Sequence, residues 1–352
     1  MNNIFAEDLK NIAKRIIDDV KVLSGKTLLI TGGAGFLGNY LIGVINYLNQ
    51  NYLEKPCRII SIDNFITGIK YNIIEGKNFK AIKHNIKDPI DIDEDIHFII
   101  HAAGIASPRF YREYKIETID VATIGTKNML EIARKKDVES MLFFSSSEVY
   151  GDPDPRFVPT HETYNGNVSC TGPRANYDES KRIGETLCVA YYETYNVPVK
   201  MVRPFNIYGP GMRSDDFRVI PNFVSRIMKN ESIQVYGGGG QTRTFCYVTD
   251  GITGFFKVLF SDKNGEPFNV GNDKDEISME KLAEIVIDVY GSHIPIIKTK
   301  GPNDAYVSSD PRRRCPDLTK IMAQLGYHPE VNVREGLRRF IEWAKESYKE
   351  KC

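Results

Sequence analysis

The 352-residue chain has no excess charge of either sign, with 46 Lys and Arg against 46 Asp and Glu. That balance removes the long-range attraction a nucleic acid or an anionic bilayer would need, so neither is expected as a partner. No apolar run approaches the roughly 18 residues of a membrane span. The first residues mix Glu7, Asp8, Lys10 and Lys14 where a signal peptide would have an apolar core. Cysteine is sparse: Cys57, Cys170, Cys188, Cys246, Cys315 and Cys352 form no CxxC pair and no Cys/His cluster of metal-ligand spacing. No metal is expected, and the thiols read as the reduced cysteines of a cytoplasmic protein. There is no internal repeat and no low-complexity segment.

What is present is ordinary globular composition, 41% hydrophobic and 26% charged, in a chain long enough for one large domain and a smaller lobe. Phe5, Leu9, Ile12, Ile16 and Val20 share one face at helical spacing, which predicts an amphipathic helix over residues 4–20. It packs on its own fold or on a partner subunit; the sequence leaves both open. Short apolar runs then read as strands buried on both faces: 27–31, 58–63, 97–101 and 140–145, with helical stretches such as 39–45 and 125–136 between them. Strand–helix alternation of this kind predicts an α/β fold, a Rossmann-type doubly wound parallel sheet covered by helices. Beyond about residue 205 glycine and proline become dense, up to a final helix at 333–348. The expected organisation is an N-terminal helical extension (1–24), a larger Rossmann-type domain (25–205) and a smaller α/β lobe (206–352) interleaved with it.

Thr31-Gly32-Gly33-Ala34-Gly35-Phe36-Leu37-Gly38 lies between the first strand and the first helix of that sheet. Glycines there permit the tight turn and let backbone N–H groups approach a pyrophosphate at the helix N-terminus, so Gly32, Gly35 and Gly38 read as a dinucleotide cradle. Asp63 ends the second strand, where its carboxylate can accept from ribose hydroxyls and repel a 2′-phosphate. NAD is therefore expected rather than NADP. Downstream, Tyr177 and Lys181 stand four apart on a predicted helix and share a face. A Lys ammonium beside the phenol lowers its pKa, so that Tyr177 could take a hydroxyl proton as hydride leaves for NAD. Ser146, at the carboxyl end of the 140–145 strand, can hydrogen-bond the same hydroxyl.

These features resemble the extended short-chain dehydrogenase/reductase family of NAD-dependent epimerases and dehydratases, over roughly residues 25–345. Within it the chain is similar to UDP-glucuronate decarboxylases (UDP-xylose synthases). The matching stretches include Asp63-Asn64-Phe65, Ala106-Ser107-Pro108, Thr123-Ile124-Gly125-Thr126, Ser147-Glu148-Val149-Tyr150-Gly151, Gly172-Pro173-Arg174-Ala175, Gln241-Thr242-Arg243 and Asp310-Pro311. The resemblance implies a nucleotide-sugar substrate, a homodimer, and catalytic roles for Tyr177, Lys181, Ser146, Ser147 and Glu148. It implies cofactor contacts from Phe36, Leu37, Asn64, Thr67, Gly68, Asn85, Ile86, Ala102 and Ala103. Substrate contacts would come from Ser107, Pro108, Tyr111, Glu148, Arg174, Asn206, Arg218, Arg243, Tyr247 and Arg314.

The serine–serine–glutamate stretch separates relatives. The 4,6-dehydratases of the family carry an Asp where this chain has Ser147, and that Asp is the acid that expels a hydroxyl; a serine replaces it poorly. The 4-epimerases usually lack the Glu. Ser147 beside Glu148 therefore suits decarboxylation through a C4 ketone, with 4,6-dehydration or epimerisation of a UDP-, dTDP- or GDP-hexose as the alternative. A dinucleotide-sensing protein without catalysis is a third, remote reading. The chain departs from the decarboxylase pattern at Ala122, Ser146, Asn176, Ser180 and Gly211, the last replacing an arginine.

Overall fold

A computed structural model describes residues 3–68, 77–300 and 310–348. Seven parallel strands form the central sheet: β1 (Thr27–Thr31), β2 (Arg58–Asp63), β3 (Phe79–Lys83), β4 (Phe98–His101), β5 (Ser140–Phe144), β6 (Val199–Pro204) and a last strand, Pro267–Val270. Their order across the sheet is Pro267–Val270, β6, β5, β4, β1, β2, β3. All residues of β4 and β5 are buried, as strands covered on both faces must be. Chain order reverses between β1 and β4, and the carboxyl ends of these strands open the crevice where α/β folds bind ligands.

The first helix, α1 (Asn3–Arg15), stops short of the expected residue 20. Lys14 and Arg15 lie in its last turn, where cations suit the helix dipole. The chain then tightens into turns, with Asp19 and Val20 N–H both bonded to the Ile16 carbonyl, and Val20 and Leu23 still enter the core from a separate 3-10 turn. Helix α1 packs on α2 (Phe36–Asn51), where Gly43 leaves room for Leu9: a Cβ there would lie 3.0 Å from the leucine side chain.

Past residue 205 the chain alternates between two roles. The helix Val248–Leu259 and the strand Pro267–Val270 return to the central sheet. The helix Val219–Met228, the parallel pair Ile233–Tyr236 with Ile296–Thr299, and a small sheet of residues 242–243, 277–278 and 313–314 build the second lobe. The cavity described below lies between them.

Candidate active site

Gly32 adopts φ +76°, and a Cβ there would lie 2.8 Å from Ala103 backbone; one at Gly38 would lie 2.2 Å from the Gly32 carbonyl. Only glycine lets the turn close this tightly against the start of α2. The first turn of α2 has no side-chain cap and no acidic residue, so its N–H donors face the cleft ready for an anion. Asp63 accepts from the N–H groups of Ala34 (3.0 Å) and Phe65 (2.7 Å), fastening the glycine turn to the end of β2. Burial raises its pKa against the lowering effect of those bonds. The cleft of about 190 Å³ is lined by Gly32, Gly35, Phe36, Leu37, Gly38, Asp63, Asn64, Thr67, Gly68, Ile86, Ala102, Ala103 and Ser107. This cradle of glycines, helix N–H donors and one carboxylate at the end of β2 fits a dinucleotide. Asn85 does not line it: its Oδ1 accepts from Lys87 N–H and shapes the turn that brings in Ile86. Arg213, His84 and Gly104 line the cleft without having been read from the sequence.

The cleft runs into a larger cavity of about 980 Å³, sharing Phe36, Leu37, Ala102 and Gly104 with it. The long helix Ala175–Tyr195 supplies Tyr177 and Lys181 to its wall. Gly184 brings this helix close to β5, since a Cβ would lie 2.5 Å from the Phe143 ring. Lys181 Nζ can then donate to the Phe144 carbonyl at 2.7 Å, and it lies 6.0 Å from the Tyr177 ring centre. Tyr111 stacks on Tyr177 at 5.1 Å and 14° between planes, which fixes the phenol's direction. The predicted depression of the tyrosine pKa is not what the arrangement produces. Burial pushes Tyr177 up to about 12, against a bond from Ser146 that lowers it. The same burial brings Lys181 down to about 8.

Ser146 caps the short turn Ser147–Tyr150, its Oγ accepting from Glu148 N–H at 3.2 Å. Glu148 is thereby aimed at Arg314, which donates to both its oxygens at 2.7 and 2.6 Å, and at Arg174. Burial alone would raise the Glu148 carboxyl, but the two guanidinium groups outweigh it and hold it at about 2. Asp178, one residue past Tyr177, was not anticipated. It is buried 3.6 Å from Arg174, and its Oδ1 finds no donor among the described residues. Burial, and then the Glu148 charge, push it up to about 7. Arg218, Arg243, Asn206 and Pro108 also reach the cavity, with Arg243 paired to Asp310 at 3.0 Å. Tyr247 does not. Its side chain is fully buried and its hydroxyl donates to Asp8 of α1 at 2.8 Å, so it belongs to the packing of α1 and not to the site.

A parallel Rossmann-type sheet, a glycine cradle at its switch point and a Tyr/Lys pair over a second cavity define an enzyme of the short-chain dehydrogenase/reductase type. The chain belongs to the NAD-dependent epimerase/dehydratase family, whose pattern matches residues 28–271. It is 39% identical over 317 residues to UDP-glucuronic acid decarboxylase 5 of Arabidopsis thaliana, covering 89% of this chain and 88% of that one. It is 38% identical over 330 residues to UDP-glucuronic acid decarboxylase 1 of Xenopus tropicalis, covering 92% and 74%. Among solved structures it resembles the epimerase Mth375 of Methanothermobacter thermautotrophicus, with a TM-score of 0.83 and 26% identity over 96% of this chain and 97% of that one.

Proposed function

We propose that the protein is an NAD-dependent UDP-glucuronate decarboxylase. The observation that carries the reading is the Ser146–Ser147–Glu148 turn with Glu148 held ionised by Arg174 and Arg314. It presents no acid at position 147 to expel a hydroxyl, and it gathers guanidinium groups where a sugar carboxylate would sit. Decarboxylases at 38–39% identity over about nine-tenths of the chain support it. Six arginines line the larger cavity against Glu148, Glu276 and Asp310, a balance suited to a diphosphate and a carboxylate together. NAD, when bound, would supply the hydride acceptor and donor for C4 and a positive charge against the buried phenol. Tyr177 takes the proton of the C4 hydroxyl, with Ser146 holding the same oxygen. The resulting ketone is β to the carboxylate, so the C5–C6 bond breaks as CO2 leaves, its electrons pass into an enolate, and a solvent proton taken up at C5 restores the ketone. Arg314 and Arg174 hold the departing carboxylate, and Tyr177 returns its proton to O4 at the end. Lys181 keeps the Tyr177 side of the helix seated on β5. The cycle leaves the cofactor unchanged.

Mass spectrometry of the product from UDP-glucuronate tests this. Loss of one CO2 upholds it. No change, followed by loss of one water from a dTDP-, UDP- or GDP-hexose, would replace it by 4,6-dehydration. We read the protein as a homodimer, supported by the exposed Ile116, Ile119 and Ile124 beside Ile183 of the Tyr177 helix. We read its setting as cytoplasmic, supported by five described cysteines that are all free. Among the described residues no helix is long and apolar enough to cross a membrane.

A further inference from the structure

The second lobe reaches back over the dinucleotide cleft at residues 209–218. Gly211, Met212, Arg213 and Asp216 line the same cleft as the glycine turn. Gly211 takes φ +95° and passes so near α2 that a Cβ would lie 3.4 Å from the Phe36 ring. The segment is anchored at its root by the Tyr348 hydroxyl, which donates to the Met212 carbonyl at 3.0 Å. Its far side is fastened to two first-lobe segments at the cleft, the helix Pro108–Glu113 with Ser107 ahead of it, and the loop at Thr67. Arg109 donates to Asp215 at 2.8 Å, and Arg213 donates to the same carboxylate at 2.7 and 2.9 Å. The Arg213 guanidinium also reaches the Thr67 carbonyl at 3.4 Å and lies 5.4 Å from the Phe110 ring centre. Ser107 Oγ donates to Asp216 at 3.2 Å.

We propose that residues 209–218 are a strap that retains the dinucleotide, with Arg109, Asp215 and Arg213 as its clasp. The inference rests on the redox reading above: a hydride taken from C4 must return to the same sugar, so the dinucleotide must stay in place through turnover. The strap crosses from one lobe to the other at the cleft, and a dinucleotide lying along the Gly32–Gly38 turn leaves only when the clasp opens. Arg109 and Asp215 are positioning residues acting through the strap. Both are partly exposed, 39% and 43%, so the clasp is sensitive to salt and removable without emptying the core. It occupies the region where the family resemblance puts an arginine and this chain has Gly211; Arg213, two residues on, brings a guanidinium back to the cleft.

The test loads the full-length protein with NADH and follows loss of bound NADH fluorescence on dilution into NAD, with no sugar present. Asp215→Ala is expected to release NADH about tenfold faster, the size expected when two exposed ion pairs are lost together. Arg109→Ala should show a smaller increase and Asp215→Glu a near-normal rate. Release from the wild type should quicken with salt, and release from Asp215→Ala should not. Equal release rates for wild type and both alanine variants, with no salt dependence, overturn the strap. If Asp215→Ala fails to fold, Arg109→Ala in the other lobe carries the test. Faster release in a protein that leaves UDP-glucuronate untouched upholds the strap and removes the substrate reading; unchanged release in an active decarboxylase does the reverse.

Discussion

At the scale of the residue, the site is governed by burial acting on charge. Lys181 and Tyr177 share one dry wall, and burial moves them in opposite directions, Lys181 down to about 8 and Tyr177 up to about 12. Lys181 therefore loses its proton as pH rises through about 8, and the alkaline limb of kcat/KM for CO2 release is expected there. In Lys181→Arg, whose guanidinium stays charged, that limb should move upward; a limb that stays put assigns it to another group. Tyr177→Phe should lower kcat by roughly 10²- to 10⁴-fold with little change in KM. Glu148 shows the opposite case. Its folded carboxyl sits at about 2, below the ordinary value of 4.5, so it contributes stability in full above pH 4.5. That stability is lost as pH falls from 4.5 through about 2. Arg314→Ala removes one of two guanidinium partners from a buried carboxylate and should cost about 3 kcal/mol in urea unfolding at pH 7, at the lower end for a broken buried pair because Arg174 remains. The loss should shrink on acidification as Glu148 takes up a proton; a cost independent of pH would mean that Arg314 acts by packing.

At the scale of the element, α1 is tied down by one buried carboxylate. Asp8 is fully buried and accepts from Tyr40 of α2 (2.8 Å), Tyr247 (2.8 Å) and Arg339 of the final helix (2.7 Å). Asp8→Ala leaves the buried hydroxyls of Tyr40 and Tyr247 without their acceptor and takes one carboxylate from the partly exposed Arg339, and should destabilise the fold by about 2–3 kcal/mol, read as a fall in melting temperature, with the product of the reaction unchanged. A melting temperature within error of the wild type would mean that water replaces the carboxylate. This element also marks what the sequence discloses. The apolar face of α1 was legible from its spacing, and so were β1, β2, β4 and β5, whose burial demands uninterrupted apolar runs. Strand β3 was not, because it is an edge with mostly exposed or half-exposed side chains. Strand β6 was hidden by Lys200 and Arg203, both buried and made tolerable by Ser140 and Glu185. The glycine turn and the Tyr177/Lys181 pair are local patterns and stood out. The partner of Tyr247 lies at Asp8, at the other end of the chain, and the upward shift of Asp178 comes from burial in the folded protein and then from Glu148 across the fold; no local spacing encodes either.

At the scale of the whole molecule, the helix that carries Tyr177 inward carries an apolar residue outward. Tyr177, Lys181 and Cys188 are buried along Ala175–Tyr195, whereas Ile183 on the opposite face is 43% exposed. Beside it Ile116 is 68% exposed, with Ile119 and Ile124 on the adjoining helical stretch. Apolar side chains gathered on neighbouring helices are costly to leave in water, and in the proposed homodimer a second copy of the same face would cover them by symmetry. Ile116→Glu with Ile183→Glu should leave the monomer's fold intact, since surface substitutions usually change stability by only about 0.5 kcal/mol. In a twofold interface each substitution occurs twice and places carboxylates near one another in apolar surroundings. Light scattering after size exclusion should then show a dimer for the wild type and a monomer for the variant, with the dissociation constant raised by at least about tenfold, the effect of one lost hot-spot residue. Because the wall bearing Tyr177 and Lys181 would be the back of the proposed interface, the monomeric variant should also turn over more slowly at equal occupancy of NAD. A wild type that runs as a monomer at every concentration removes the dimer, and the exposed isoleucines would then call for another partner.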